Sequence, residues 1–260
     1  MEIVILPSAA EVGLLAARKI SQLVTRKPDA VLGLATGSSP LAIYAALAAH
    51  VRDGSLDTSR VSGFALDEYV GIPAEHPESY AAVIHREVTV PLRLDPARVQ
   101  VPDGRAADVE QACERYEEAI RAAGGVDLQI LGIGANGHVG FNEPTSSFAS
   151  RTRIKTLTER TRADNARFFD TPDEVPTHCL TQGLGTISEA RELLLVAQGP
   201  QKAAAVAAAV EGPVTSMCPA SILQHHRRVT LVVDEAAAAD LKLADYYRWT
   251  YANKPAWQQL

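Results

Sequence analysis

Residues 131–144, LGIGANGHVGFNEP, bring proton-handling side chains together in a glycine-rich stretch. Asn136, His138, Asn142 and Glu143 all fall within it. A histidine close to a carboxylate can move protons near neutral pH, because the carboxylate fixes the tautomer of the ring and raises its basicity. The stretch therefore predicts a proton shuttle in a ligand-binding loop, with a merely structural polar loop as the alternative.

The same stretch contains the pattern G-x-G-x-x-G at Gly132, Gly134 and Gly137, which is found in dinucleotide-binding folds. That function requires a long helix to begin at the last glycine, so that the pyrophosphate lies over the helix N-terminus. Gly140 and Pro144 follow too soon for such a helix. Because this helix cannot form, the glycines do not predict a dinucleotide site, and no cofactor is expected.

A second stretch with binding chemistry is LATGSSP, which contains Thr36, Gly37, Ser38 and Ser39. It connects an apolar run to a helical pattern, with Ser39 as the expected N-cap and Pro40 as the first helical residue. Free amides, hydroxyls and the positive end of the helix dipole suit a phosphate or carboxylate. An ordinary well-capped helix is the alternative.

Two further charged features follow apolar runs. Asp67 and Glu68 come directly after VSGFAL, and Lys202 lies at the start of a helical pattern after ELLLVAQG. Such an acidic pair is most often a solvated turn. At the carboxyl end of a strand, where α/β folds bind ligands, one carboxylate could instead act as a base.

Strand and helix patterns alternate along the chain and would position these groups. The apolar runs are nearly continuous in Val, Ile and Leu, as in strands covered on both faces. The predicted fold is α/β: a doubly wound, mostly parallel sheet with helices on both faces, a Rossmann-like three-layer sandwich. One domain over residues 1–260 is expected, and the order of the tail from about 246 to 260 is left open. The predicted strands are 2–6, 30–35, 61–66, 127–134, 192–199 and 228–234.

The composition limits the binding partners and the cellular compartment that are expected for the protein. A net charge of −6 argues against nucleic acid or an anionic membrane as a general partner. The 3 cysteines are widely scattered, which favours reduced thiols and a cytoplasmic location. The N-terminus does not resemble a signal peptide, and no apolar run approaches the roughly 20 residues that span a bilayer. No spacing typical of a metal site is present.

Several motifs together resemble those of the glucosamine-6-phosphate deaminase family, from the first strand to about residue 245. GFNEP followed by SRTRIKTLT is the most specific part. The resemblance implies an isomerising hydrolase of amino sugar catabolism that converts glucosamine 6-phosphate to fructose 6-phosphate and ammonia without a redox cofactor or required metal. The motifs are, in order, LGLATGSSP, LDEYVGIPAEHPESY, GIGANGHVGFNEP, SSFASRTRIKTLT, ARFFD and GPQKAAAVAAAVEG.

The resemblance also implies roles for individual residues. Asp67 would be the base that moves the C2 proton to C1, and His138 would handle the proton during ring opening. Glu143 and Asn136 would support His138, although members of the family carry aspartate where this chain has Asn136. The substrate phosphate would bind Thr36, Gly37, Ser38, Ser39, Arg167 and Lys202.

Similar enzymes can be homohexamers that N-acetylglucosamine 6-phosphate activates at a subunit boundary. The positions that match its phosphate site are Ser146, Arg153, Lys155 and Thr156. A C-terminal tyrosine associated with activation aligns with Arg248, beside Tyr246 and Tyr247. The sequence leaves the oligomeric state and activation open.

Two other functions fit the same architecture. A 6-phosphogluconolactonase has a similar fold and a sugar-phosphate substrate, but lactone hydrolysis does not need the proton relay of Asp67. A sugar-phosphate-sensing domain of a transcription regulator would need a DNA-binding segment, whereas this acidic chain starts directly on its first predicted strand. The GFNEP and SRTRIKTL motifs favour the deaminase.

Overall fold

The computed structural model describes residues 1–73 and 75–258. Six of the strands among these residues follow the continuous apolar runs of the sequence, because a strand buried on both faces needs apolar side chains on both. The strands are β1 (Glu2–Leu6), β2 (Val31–Leu34), β3 (Ser62–Ala65), β4 (Asp67–Tyr69), β5 (Val99–Gln100), β6 (Leu128–Leu131), β7 (Arg153–Thr156), β8 (His178–Thr181), β9 (Glu192–Ala197) and β10 (Val229–Asp234).

Seven of these strands form one parallel sheet in the order β1-β10-β9-β6-β2-β3-β5. Every residue of β2, β6 and β10 is buried, as expected for strands with helices over both faces. The predicted α/β fold with a parallel central sheet is therefore confirmed. Each predicted strand lies in this sheet, and the short edge strand β5 was not predicted.

The helices are α1 (Ala9–Arg26), α2 (Leu41–Arg52), α3 (Tyr80–Ile84), α4 (Val109–Ala122), α5 (Glu159–Asn165), α6 (Leu184–Ser188), α7 (Ala203–Val210) and α8 (Ala244–Ala252). A π-helical turn, His85–Thr89, continues α3. Ser8 caps α1 by accepting the amide of Glu11, as its sequence predicts. The end of the chain is largely helical, and α8 packs against β1. Residues 259–260 of the predicted tail lie outside the described residues.

The start of α2 differs from the prediction. Pro40, not Ser39, occupies the N-cap position, and α2 begins at Leu41. Pro40 has helical backbone angles and no side chain caps the helix. The serines before α2 are therefore not used as caps, and their hydroxyls are left for other contacts.

The order of the strands creates a crevice between β2 and β6. After β2 the chain adds β3 and β5 on one side, and after β6 it adds β9 and β10 on the other. The segments that leave neighbouring β2 and β6 therefore diverge over the carboxyl edge of the sheet. Such a topological switch point is where open α/β sheets bind ligands.

A second sheet lies beside the first and was not predicted. It is antiparallel and has the order β4-β8-β7. Its apolar side chains form a small core of their own around Tyr69, Phe141 and Cys179. Because β4 follows β3 after a single residue, this sheet continues the carboxyl edge of the central one.

None of the helices within residues 1–73 and 75–258 is long and apolar enough to cross a membrane.

A buried carboxylate on α4 fixes the segment that leads into β7. Glu117 is 6% exposed and accepts hydrogen bonds from the Thr152 amide at 2.8 Å and the Thr186 hydroxyl at 2.6 Å. Arg151 completes the cluster with an ion pair. Burial acts to raise the pKa of Glu117, but the bonds from Thr152, Thr186 and Arg151 outweigh it and hold the pKa below 4.5.

Glu117→Gln should lower the free energy of unfolding by about 1–3 kcal/mol at pH 7, because it removes the charge to which buried donors bind. The folded-state pKa lies below the unfolded one, so this contribution is present above pH 4.5 and is lost as pH falls through the folded-state pKa. Urea unfolding at several pH values measures it, and the difference between the two proteins should shrink in acid.

Glu118→Gln is the matched control, because Glu118 is the exposed neighbour on the same helix. It should change stability by less than about 0.5 kcal/mol. Equal effects of the two substitutions would mean that the Glu117 cluster does not hold the β7 segment.

Candidate active site

A cavity of about 300 Å³ opens in the crevice between β2 and β6. Its walls include two loops that leave these strands, the serine loop (residues 36–39) and the glycine loop (residues 132–143). Asp67 from β4 and Lys202 from the turn after β9 also line it. The switch point therefore brings together groups that the sequence predicted separately.

Within the glycine loop, His138, Asn136 and Glu143 form a hydrogen-bonded chain. The Nδ1 atom of His138 lies 2.7 Å from Oδ1 of Asn136, and Nδ2 of Asn136 donates to Oε2 of Glu143 at 2.7 Å. His138 Nδ1 is also 3.6 Å from the same carboxylate oxygen. The predicted proton-handling residues are therefore in mutual contact, and the His138 ring lines the cavity.

The surrounding donors fix the orientation of the Asn136 amide and the tautomer of His138. The backbone amide of His138 donates to Oδ1 of Asn136 at 3.3 Å, so the atom it contacts must be the oxygen. The amide nitrogen then points at Glu143. Since Oδ1 can only accept, Nδ1 of His138 must carry a hydrogen, and in the neutral ring Nε2 is left as the acceptor for a ligand.

The ring fits only because residue 134 is glycine. A Cβ at Gly134 would lie 2.2 Å from Cε1 of His138, inside the space of the imidazole. Gly137 adopts φ +83°, which a side chain would disfavour, and it packs against Cys218. The glycines of this loop thus serve ring packing and a tight turn. No helix begins at Gly137, as the sequence predicted.

Glu143 is held in its ionised form. Burial acts to raise its pKa, but the nearby His138 ring and the hydrogen bonds from Thr161 and Asn136 outweigh that effect and lower the pKa to about 2. Thr158 adds a further hydrogen bond at 3.2 Å. At neutral pH the chain from Glu143 to His138 therefore ends in a permanent negative charge.

Asp67 lies in the opposite electrostatic environment. It is 5% exposed, and burial together with the neighbouring Glu68 carboxylate raises its pKa to about 8, although a hydrogen bond from Thr181 acts to lower it. Asp67 and Glu68 do not form the solvated turn in which such an acidic pair is most often found, because both belong to β4 and are buried. A carboxyl group with a pKa near neutral can serve as a general acid or base.

Glu68 has a structural part in the same wall. Its carboxylate accepts the backbone amides of Tyr80 at 2.9 Å and Ala81 at 2.8 Å, at the N-terminus of α3. It also accepts the amide of Tyr69 at 2.8 Å. Glu68 thereby attaches α3 to β4 and keeps Tyr80 at the cavity.

The serine loop lies over the uncapped N-terminus of α2. All of its residues, Thr36, Gly37, Ser38 and Ser39, line the cavity, and Gly37 has φ +88°. The dipole of α2 and the hydroxyls of this loop are suited to an anion, and phosphate binding here stays a prediction.

Lys202 adds positive charge to this end of the cavity. Burial lowers the pKa of Lys202, and nearby Arg167 and Arg160 lower it further, against the effect of Asp164. Arg167 itself is exposed and does not line the cavity; its guanidinium lies 4.7 Å from the centre of the Phe168 ring. The structure therefore brings Lys202 to the serine loop and leaves Arg167 at the edge.

An aromatic wall completes the cavity and was not predicted as part of the site. Tyr69 receives a hydrogen bond from Asn165 at 3.1 Å and from the Tyr80 hydroxyl at 3.3 Å. Phe169 packs edge-on to Tyr69. The three aromatic residues lie inside the motifs LDEYVGIPAEHPESY and ARFFD, and Asn165 directly precedes the second. Only the structure shows that the three rings line one cavity.

The residues of the expected activator site lie at and before β7. Arg153, Lys155 and Thr156 are on this strand, and Ser146 precedes it in the turn after the glycine loop. The hydroxyl of Ser146 is buried and has no hydrogen-bond partner among the residues the structure describes. Arg153 donates to Oδ1 of Asn142 at 2.8 Å, which connects β7 to the glycine loop.

Within residues 1–73 and 75–258, no group of histidine, cysteine and carboxylate side chains is arranged to hold a metal ion. The cysteines Cys113, Cys179 and Cys218 are buried free thiols.

A parallel sheet with an anion-binding loop and buried acid–base groups at its switch point has the features of an α/β enzyme for a small anionic substrate. The family model for glucosamine-6-phosphate isomerases/6-phosphogluconolactonase matches residues 8–232. The chain belongs to this family.

Relatives that match over almost their whole length show which members of the family the chain resembles most specifically. The chain is 62% identical to the glucosamine-6-phosphate deaminase of Streptomyces coelicolor, over 99% of each chain. It is 58% identical to that of Bifidobacterium longum, over 99% of this chain and 98% of the relative.

Solved structures show both branches of the family. A monomeric glucosamine-6-phosphate deaminase matches with a TM-score of 0.90 and 40% identity, over 92% of this chain and all (100%) of that one. The 6-phosphogluconolactonase from Trypanosoma brucei has a TM-score of 0.76 at 18% identity, over 92% and 98% of the two chains. That second likeness concerns the fold alone.

If the serine loop and Lys202 form an anion site, inorganic phosphate should raise the Tm of the protein. Ligands that bind only the folded state stabilise it by mass action. Lys202→Ala should weaken phosphate binding about tenfold or more, since it removes a charged hydrogen-bond donor. Thermal unfolding over a phosphate titration, at constant ionic strength, measures this.

Lys242→Ala is the control, because it removes the same charge from an exposed position outside the cavity lining. It should leave the phosphate dependence unchanged. An identical loss in both variants would mean that phosphate acts through overall charge, and the anion site would have to be sought elsewhere.

Proposed function

We propose that the protein converts glucosamine 6-phosphate to fructose 6-phosphate and ammonia. The observation that carries this is one cavity lined by an anion-binding loop, a buried base with a pKa near neutral, and a histidine with a fixed tautomer. The 62% identity to deaminases over the whole chain identifies the substrate class. Each group then has a step in the reaction to perform.

The substrate phosphate binds the serine loop and Lys202, with Arg167 closing from the edge. Sugar opening requires a proton to leave the C1 hydroxyl and a proton to reach the ring oxygen. Nε2 of His138 accepts and returns that proton, because Nδ1 is already bonded to Asn136. Glu143, ionised behind Asn136, stabilises the imidazolium that forms in between.

Asp67 performs the isomerisation. The C1 aldehyde acidifies the C2 proton. The carboxylate accepts this proton from C2 and delivers it to C1, while the C1 oxygen gains a proton and the C2 amine loses one, so that an imine forms at C2. Water adds to the imine carbon and ammonia departs, so one water is consumed for each ammonia released. The reaction thus combines aldose–ketose isomerisation with a hydrolytic step, and it needs no redox partner.

Lactone hydrolysis by the same chain is not favoured. It would need an attacking water but no base to move a proton between two carbons. The solved lactonase structures that resemble this chain share its fold at 18–20% identity. A sensor domain, in turn, would have no use for a buried base with a raised pKa.

The deciding experiment is to incubate the purified protein with glucosamine 6-phosphate and measure ammonia and fructose 6-phosphate. Both should form in equal amounts. Asp67→Asn keeps the size of the side chain but cannot accept a proton, so turnover should fall about 10²- to 10⁴-fold. Exchange of the C2 hydrogen with deuterated solvent should fall with it, while phosphate binding is kept. No ammonia from the wild-type protein would refute the proposed function.

The pH dependence should report the buried base. Because Asp67 must be ionised to accept the C2 proton and its pKa is raised to about 8, log kcat/KM should rise with unit slope below about pH 8 and level above it. Glu143, with a pKa of about 2, should not contribute a limb in this range. A profile that is already flat from pH 6 upward would assign the base to a different group.

The activator site is part of the proposal. Ser146, Arg153, Lys155 and Thr156 would bind the phosphate of N-acetylglucosamine 6-phosphate, and the bond from Arg153 to Asn142 connects that site to the glycine loop. The activator should then lower the substrate KM, and Lys155→Ala should abolish this effect but keep the basal rate. Activation that persists in Lys155→Ala would place the effector elsewhere.

Assembly into a homo-oligomer, up to a hexamer, and a cytoplasmic location complete the proposal. One relative with 40% identity is a monomeric enzyme, so the mass of this protein in solution has to be measured for itself. Light scattering at several concentrations, with and without the activator, gives that mass.

A further inference from the structure

Thr181 was not predicted from the sequence, yet it is paired with Asp67, which lines the cavity. Strands β4 and β8 are antiparallel, and Asp67 is directly opposite Thr181 in their register. Residues paired in this way project from the same face of the sheet with their Cβ atoms about 4.5–5.5 Å apart. Thr181 is fully buried, so its hydroxyl must find its partners within the protein.

The hydroxyl of Thr181 contacts one hydrogen-bond donor and one hydrogen-bond acceptor. It accepts the backbone amide of Phe141 at 3.1 Å, and it hydrogen-bonds the carboxylate of Asp67. The Phe141 amide occupies a lone pair of the hydroxyl, so the hydroxyl hydrogen is left for an acceptor, which the ionised carboxylate of Asp67 provides. The carbonyl of Gln182, at 3.4 Å, is a second acceptor for the same hydrogen.

The glycine loop packs closely over this contact. Gly140 has φ +55°, and a Cβ there would lie 3.0 Å from the Thr181 hydroxyl and 3.5 Å from Oδ2 of Asp67. The same loop carries His138 on one side of Gly140 and Glu143 on the other. One hydroxyl therefore joins the strand of the base to the loop of the histidine.

We infer that Thr181 is a positioning residue of the reaction, which holds the Asp67 carboxylate in place against the glycine loop and directs a hydrogen bond at it. The inference rests on the proposed function for its kinetic consequences. Its structural part, the contact between Thr181 and the base, does not depend on which substrate the enzyme takes.

The electrostatics of the site explain why such a bond is needed. Burial and the Glu68 carboxylate both raise the pKa of Asp67, and Thr181 acts in the opposite direction. Asp67 forms no ion pair among the described residues. A neutral hydroxyl donor favours the ionised base without neutralising it, whereas a cation in this position would make the carboxylate too weak to accept a proton.

The test is Thr181→Val, which keeps the shape of the side chain and removes the hydroxyl. The pH at which log kcat/KM stops rising, which we assign to Asp67, should increase by about 0.5–1 unit, the effect of one lost hydrogen bond. The rate at the plateau should fall about tenfold with a smaller change in KM, because the base is no longer aligned. Thr181→Ser, which restores the hydroxyl, should recover most of the rate and the wild-type limb.

Thr230→Val is the matched control, since Thr230 is a buried threonine on β10 outside the cavity lining. It should keep the wild-type limb. A wild-type profile in Thr181→Val overturns the inference, and so does an equal loss in Thr181→Ser, which would assign the effect to packing.

The titration of Asp67 can also be followed directly by NMR with ¹³C-labelled aspartate, using Asp67→Asn to assign the signal. The midpoint should be higher in Thr181→Val than in the wild-type protein. This readout needs no turnover, so an unchanged midpoint refutes the inference even if the protein proved inactive on glucosamine 6-phosphate. A shifted midpoint without ammonia release would refute only the proposed function.

Discussion

The chain leaves the central sheet at the end of β3, and after one intervening residue Asp67 is buried in the wall of the cavity, where little water can solvate its carboxylate. Its position depends on the pairing of β4 with β8, because that pairing turns the chain across the carboxyl edge of the sheet instead of into a loop. The cavity forms where β4 meets the crevice between β2 and β6. Without the small antiparallel sheet, the switch point would keep its serine loop but would have no buried carboxyl group beside it.

The surroundings of two carboxyl groups at this site, Asp67 in the cavity wall and Glu143 behind His138, give them opposite protonation behaviour. Asp67 has a hydroxyl partner and a like-charged neighbour, and its pKa is raised to about 8. Glu143 accepts bonds from several side chains, and its pKa is lowered to about 2. One carboxyl group is thus able to exchange a proton near neutral pH, while the other remains a constant negative charge. Separated pKa values of this kind distinguish an acid–base group from a supporting one.

How much the sequence predicts depends on how local each signal is. The buried runs at 30–35 and 127–134 predicted β2 and β6, and with them the crevice, because burial on both faces leaves a continuous apolar pattern. The strands β4, β7 and β8 are short and carry polar residues, and β4 pairs with β8 across more than a hundred residues, as Asp67 with Thr181 shows, so no local pattern predicts this sheet. For the same reason, the contact of Thr181 with Asp67 could not be predicted from the sequence.

Asn136 shows how a neutral residue can serve where the family resemblance implies an acid. An amide offers an oxygen to Nδ1 of His138 and a nitrogen to Glu143, and both contacts are 2.7 Å long. An aspartate here would bring two carboxylates within hydrogen-bond distance, and one of them would have to hold a proton. With asparagine, Glu143 ionises freely and the tautomer of His138 is still fixed. The charge of Glu143 still lies 3.6 Å from Nδ1 of His138, and the Asn136 amide connects the two side chains by hydrogen bonds.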